Sequence, residues 1–96
     1  MKGRVMRVTL KAEAIDEAAR RWPGYAANFK GRGLEAMYLL VDRESGKAMS
    51  VTIWEDEGKM KANEGRADVQ DALRSFEPYY ADAPSWSYFD VAAKLV

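Results

Sequence analysis

Two β-rich runs in direct succession constrain this chain more than any other feature: Leu34 to Asp42 (LEAMYLLVD) and Lys47 to Trp54 (KAMSVTIW), joined by Arg43-Glu44-Ser45-Gly46. Four residues ending in glycine are too few for a crossover and suit a hairpin, so the two runs are expected to pair antiparallel. The second run alternates, with Met49, Val51 and Ile53 on one side and Ala48, Ser50, Thr52 and Trp54 on the other. In the first run both faces are apolar: Leu34, Ala36, Tyr38 and Leu40 on one, Met37, Leu39 and Val41 on the other. A strand of that kind has to be covered on both sides.

The period changes on either side of this hairpin. Val5 to Lys11 sets Met6, Val8 and Leu10 opposite Arg7 and Thr9, the pattern of a half-buried strand. Ile15, Ala18, Ala19, Trp22, Ala26 and Phe29 recur every three or four residues, and their phase is unbroken across Pro23. That predicts one helix from about Ala14 to Phe29, bent at the proline, with Gly31 and Gly33 ending it. After Trp54 the acidic run Glu55-Asp56-Glu57 suits the positive end of a helix that continues through Met60 to about Asn63. Val69, Ala72, Leu73 and Phe76 predict a second helical piece, Pro78 and Pro84 bracket a loop with Tyr79 and Tyr80, and Trp86 to Val91 reads as a last strand.

The order β, α, β, β, α (in two pieces), β is that of a ferredoxin-like α+β fold, with residues 1–96 as a single domain around one four-stranded antiparallel sheet. Right-handed crossovers place both helical segments on one face of the sheet. The other face is bare, and Met49, Val51 and Ile53, together with the Met37, Leu39 and Val41 side of the first run, are expected on it. Covering even roughly 500 Å² of such surface is worth on the order of 12 kcal/mol before association costs, so a homodimer packed sheet against sheet is expected.

Charge and composition narrow the function. Fifteen basic residues balance fifteen acidic ones, so no net field holds the chain to nucleic acid or to an anionic membrane. Met49, Val51 and Ile53 stand where an RNA-recognition sheet would carry stacking aromatics. No apolar run approaches a membrane span or a signal-peptide core, and a cytoplasmic location is expected. The chain has no cysteine and no histidine, which removes thiolate catalysis, the usual metal and haem ligands and the usual general base at neutral pH. Any catalysis has to rely on other groups or on the substrate, and no cofactor is expected.

The run GLEAMYLLVDRESGKAMSVTIWEDE, Gly33 to Glu57, resembles the antibiotic biosynthesis monooxygenase superfamily, in which a strand, a D-R-E-[ST]-G-K hairpin and a strand ending in Trp-Glu recur; the proline within the first helix is similar as well. The resemblance implies a dimeric α+β barrel. It also implies an oxidoreductase that oxygenates electron-rich aromatics such as quinols and anthrones without metal or flavin, the deprotonated substrate itself reducing dioxygen. Trp54 matches the tryptophan of the catalytic members, and Ser50 stands on the same strand face where some of them carry asparagine. Haem-degrading relatives use an asparagine on the first strand, near Met6 here, and a histidine that this chain lacks, so no haem is expected. Because Ser50, Thr52 and Trp54 share one face, a small-molecule cavity is expected between sheet and helices, with Met6, Val8, Trp22, Tyr38 and Met60 as further substrate-binding candidates. The alternative on the same fold is a non-catalytic dimeric module, binding a small ligand or acting in a stress response.

Overall fold

The structure is a computed structural model that describes residues 1–96. Strand β1 (Lys2–Thr9) starts at Lys2 rather than at the expected Val5, because it is a central strand with partners on both sides: Lys2 pairs with Trp54 on one flank and Asp90 on the other. A short 3₁₀ turn, Ala12–Ala14, leads into helix α1 (Ile15–Ala27), which runs through Pro23 without a break. The proline is exposed while Ile15, Ala18, Trp22 and Tyr25 face inward, so the ring sits on the outer side of the helix and the inner stripe keeps its phase. Phe29, just past the helix, is fully buried.

Strands β2 (Leu34–Val41) and β3 (Lys47–Trp54) form the expected hairpin. Its turn is organised by Asp42, whose carboxylate accepts hydrogen bonds from Ser45 Oγ (2.9 Å) and the Glu44 N–H (3.1 Å), while its carbonyl accepts from the Gly46 N–H (2.8 Å). The Ser45 hydroxyl, and then the Glu44 amide, hold the Asp42 carboxyl below its usual range. Gly46 is obligatory: its φ is +79°, and a Cβ there would lie 2.6 Å from the carbonyl oxygen of Leu10.

Helix α2 (Glu57–Glu64) is capped by Asp56, which accepts from the Lys59 N–H at 2.8 Å, and helix α3 (Ala67–Arg74) follows at once. After a second 3₁₀ turn, Glu77–Tyr79, strand β4 (Ser85–Asp90) closes the sheet. The strand order is β2-β3-β1-β4 and every pairing is antiparallel, which is the ferredoxin-like α+β architecture.

One expectation about the sheet is reversed. Met37, Leu39 and Val41 are opposite Thr52, Ser50 and Ala48 and so lie on the helix side, whereas Ala36, Tyr38 and Leu40 are opposite Ile53, Val51 and Met49 on the open side. A β-bulge between Leu34 and Ala36 changes the phase of the strand at Glu35. The open face therefore carries Tyr38 (61% exposed), Leu40 (53%) and, on β4, Phe89 (50%), alongside Met49, Val51 and Ile53.

The core is continuous between helices and sheet. Trp22, Tyr25 and Phe76 pack edge-on or tilted at 5.0–5.6 Å between ring centroids, and Phe29 links Tyr25 to Trp54. Arg21 ties α1 to the end of α3. Its guanidinium lies 4.6 Å from the Phe76 ring centroid and donates to Tyr79 Oη (2.9 Å) and Ser75 Oγ (3.0 Å).

Candidate functional site

The helix side of the sheet brings together most of the side chains singled out from sequence. Met6 is directly opposite Ser50, Val8 opposite Ala48, and Trp54 lies below them; all are buried, as are Trp22 and Met60. Tyr38 is not among them, because the hairpin register sets it opposite Val51 on the open face. The expected cavity does not form around Trp54 and Ser50. Trp54 is 0% exposed and its Nε1–H donates to Thr52 Oγ1 at 2.9 Å. Beside Ser50 there is a void of about 10 Å³, walled by residues including Met6, Val8, Trp22 and Leu39, at the lower limit of what a single water needs, about 10–15 Å³. Small hydroxyl side chains on a strand face thus do not leave a cleft here; the aromatics of α1 and Phe76 fill it.

Space lies one layer outward, in a groove of about 750 Å³ between α1 and the edge strand β2. Trp22, Pro23, Ala26, Met37 and Leu39 make much of its wall, with Lys30, Glu35 and Arg43 also lining it. Trp22 and Leu39 line both this groove and the small void, so they form the partition between the groove and Ser50. Of the site residues expected from sequence, Trp22 alone lines the groove. The others were missed, although a signal was present: Ala19, Pro23, Ala26, Ala27 and Lys30 recur at helical spacing along one side of the helix, and the mostly short side chains of that row leave the volume between α1 and the strand unfilled.

The groove also has a backbone edge. The Asp42 N–H donates to the Lys47 carbonyl, so in this antiparallel ladder residues 42, 40 and 38 bond to β3 while Met37, Leu39 and Val41 turn their N–H and C=O groups outward. No strand covers that edge within the chain. Arg43 is held by Asp16 at 2.6 Å, whereas Lys30 takes part in no ion pair.

A second polar group lies deeper. Arg4, 8% exposed, bonds Glu64 at 2.7 Å, and Thr52 Oγ1 reaches the Arg4 carbonyl at 3.5 Å. Asn63 is 2% exposed with neither amide atom paired, and the Tyr25 hydroxyl is also buried without a partner. Burial pushes the Tyr25 phenol up to about 12, so it stays protonated at neutral pH and is no general base. No cluster of carboxylates arranged to hold a metal ion occurs, and no helix is long and apolar enough to cross a membrane.

No protein-family model matches the sequence, and no curated protein matches it. Solved structures do. An antibiotic biosynthesis monooxygenase superposes with a TM-score of 0.78 at 15% identity, over 97% of this chain and 100% of that one. SnoaB, a cofactor-independent oxygenase from Streptomyces nogalater, gives 0.76 at 13% identity, over 98% and 95%. MhuD, a heme-degrader from Mycobacterium tuberculosis with two hemes bound in its active site, gives 0.76 at 17% identity, over the whole of both chains. This last structure overturns the expectation that haem is excluded. That expectation rested on Met6 near the first-strand asparagine position and on the missing histidine, yet a chain of this fold accommodates two haems. What superposition establishes is the architecture: the chain has the fold of the antibiotic biosynthesis monooxygenases.

Proposed function

We propose that the chain binds a flat, electron-rich aromatic of the quinol or anthrone kind in the groove between α1 and β2, and that it acts on it as a cofactor-independent monooxygenase. The groove carries this reading. It is about 750 Å³ in volume, mostly apolar, walled on one side by Trp22, and its only carboxylate is the exposed Glu35. A site of that kind orients a substrate and supplies no strong base, which suits a substrate that brings its own reactivity. With an anthrone the balance closes without another reductant: the ring methylene gives up two hydrogens, one atom of dioxygen becomes the new carbonyl, and the other leaves as water. A solved cofactor-independent oxygenase of the same fold supports the assignment. Ser50 lies behind the partition formed by Trp22 and Leu39 and Trp54 is sealed in the core, so in this reading neither touches the substrate and both act by supporting the inner wall of the groove.

The protein works in this reading as a cytoplasmic homodimer in which a second copy covers the open face around Tyr38, Leu40, Val51 and Phe89; a monomeric mass by sedimentation equilibrium at micromolar concentration refutes that part. A non-catalytic binding module is the second reading, favoured by Trp54 being sealed and its N–H spent on Thr52. Oxygen uptake with a panel of quinols and anthrones separates the two. Uptake that Ala26→Phe abolishes by filling the groove, and that Trp54→Phe lowers, supports the oxygenase. Saturable binding without uptake leaves the module, and neither binding nor uptake sinks both. Haemin belongs in the same panel, with a Soret shift that Ala26→Phe removes as the sign of occupancy of this groove.

A further inference from the structure

The sheet ends in two free edges, and the backbone groups along them match. On β2 the outward N–H and C=O groups belong to Met37, Leu39 and Val41, whose side chains face the helices. On β4 the Val91 N–H donates to the Met1 carbonyl at 3.1 Å, so in that antiparallel ladder residues 91, 89 and 87 bond to β1 while Trp86, Tyr88 and Asp90 turn their N–H and C=O groups outward. Trp86 and Tyr88 are opposite Met6 and Arg4, which also places them on the helix side. The helices leave them half uncovered, Trp86 at 46% exposed and Tyr88 at 49%. Hydrogen-bonded partners in an antiparallel pair carry their side chains on one face. A strand such as β4 laid along β2 therefore satisfies both rows of backbone groups and brings its two aromatics to the groove side.

The open face calls for the same contact. Four strands about 4.8 Å apart and roughly 27 Å long offer about 500 Å² per copy and about 1,000 Å² for a pair, short of the roughly 1,200 Å² at which stable interfaces begin. Two copies packed open face to open face about a two-fold axis along the strands bring β4 of each beside β2 of the other, and these edges supply the remainder. We propose that each α1–β2 groove is completed by a second copy of the chain: β4 of one copy pairs antiparallel with the β2 edge of the other, and the partner's Trp86 and Tyr88 form the outer wall of the groove. This rests on the groove being the ligand site. A flat aromatic ligand then meets Trp22 of its own chain on one side and the partner's rings on the other, a two-sided contact that neither copy offers alone.

Exchange of subunits between two variants tests this. Ala26→Phe fills its own groove and keeps the aromatics of β4, whereas Trp86→Ala/Tyr88→Ala keeps its own groove and removes the wall that it lends. The probe is 1-naphthol, titrated by calorimetry into the native chain, each variant and an equal mixture of the two, with native mass spectrometry counting the hybrid dimers. The double variant is expected to bind about tenfold more weakly than the native chain. In the mixture about half of the dimers are hybrids, and one groove of each hybrid is intact and faces intact aromatics, so about a quarter of the sites should return at native affinity. Native affinity in the double variant, or hybrids without recovered sites, overturns the proposal while the groove stands. No binding of 1-naphthol to the native chain overturns the groove reading and the proposal together. Removing the aromatics also weakens the edge contact, so a second measurement is made without the ligand. Leu39→Cys and Tyr88→Cys chains, each with one cysteine in a protein that has none, should be joined into a mixed covalent dimer by a short bismaleimide, and the absence of that product overturns the edge pairing.

Discussion

Replacing Tyr25 by phenylalanine is expected to make the protein more stable, and the gain should grow with pH. The Tyr25 ring packs against Trp22, Phe29 and Phe76 at 5.0, 4.8 and 5.6 Å between centroids, contacts that phenylalanine keeps. Only the hydroxyl is lost, and it is buried without a partner. A buried polar group left unpaired costs about 1–3 kcal/mol, so Tyr25→Phe should recover part of that at neutral pH, which for a domain of this size raises Tm by about 4 °C or more. Burial raises the phenol from about 10 in the unfolded chain to about 12 in the folded one, the nearby Arg4 opposing the rise. Between those pH values the unfolded chain releases a proton that the folded chain retains, so stability falls as pH rises through this window, by up to about 3 kcal/mol. The variant does not lose that amount. Tyr80, raised by burial in the same direction, leaves a residual slope in both proteins. Urea denaturation of the two at pH 7 and at steps from pH 9 to 12 measures the difference. A variant less stable by 1 kcal/mol or more at pH 7 would mean that the hydroxyl is bonded. A gap that fails to widen above pH 10 would mean that burial does not hold the phenol protonated.

Gly46→Ala should cost about 1–3 kcal/mol in urea denaturation, since the residue needs a φ of +79° and its Cβ would meet the Leu10 carbonyl at 2.6 Å; a loss below about 0.5 kcal/mol would show that the turn can shift. Arg4→Met removes one partner of a partly buried ion pair and should destabilise by about 1–3 kcal/mol, with Arg4→Met/Glu64→Gln recovering most of it; additive losses in the double variant would contradict coupling. Leu40→Glu puts a charge into the open face, and sedimentation should then report a monomer with unchanged far-ultraviolet circular dichroism; a persistent dimer would place the interface elsewhere.

Short-range pattern alone specifies the order of elements, the hairpin and the passage of α1 through Pro23. Alternation over Lys47–Trp54 gives β3 its faces, the stripe from Ile15 to Phe29 gives α1 its inner side, and Gly46 with Asp42 gives the turn. Which face of β2 meets the helices was not legible. Both of its faces are apolar, and only the pairing with β3 sends Met37, Leu39 and Val41 inward and Tyr38 outward, while the bulge at Glu35 takes Leu34 out of phase with Tyr38. The site depended on tertiary structure for a similar reason. Ser50, Thr52 and Trp54 do share a strand face, but whether space remains beside them depends on how deeply Trp22, Phe29 and Phe76 reach across from other elements. Those aromatics close the interior to about 10 Å³ at Ser50 and leave the opening between α1 and the free edge of β2. Periodicity fixes which way a side chain leaves its own backbone; the volume between two elements is set by side chains far apart in sequence, and no local pattern contains it.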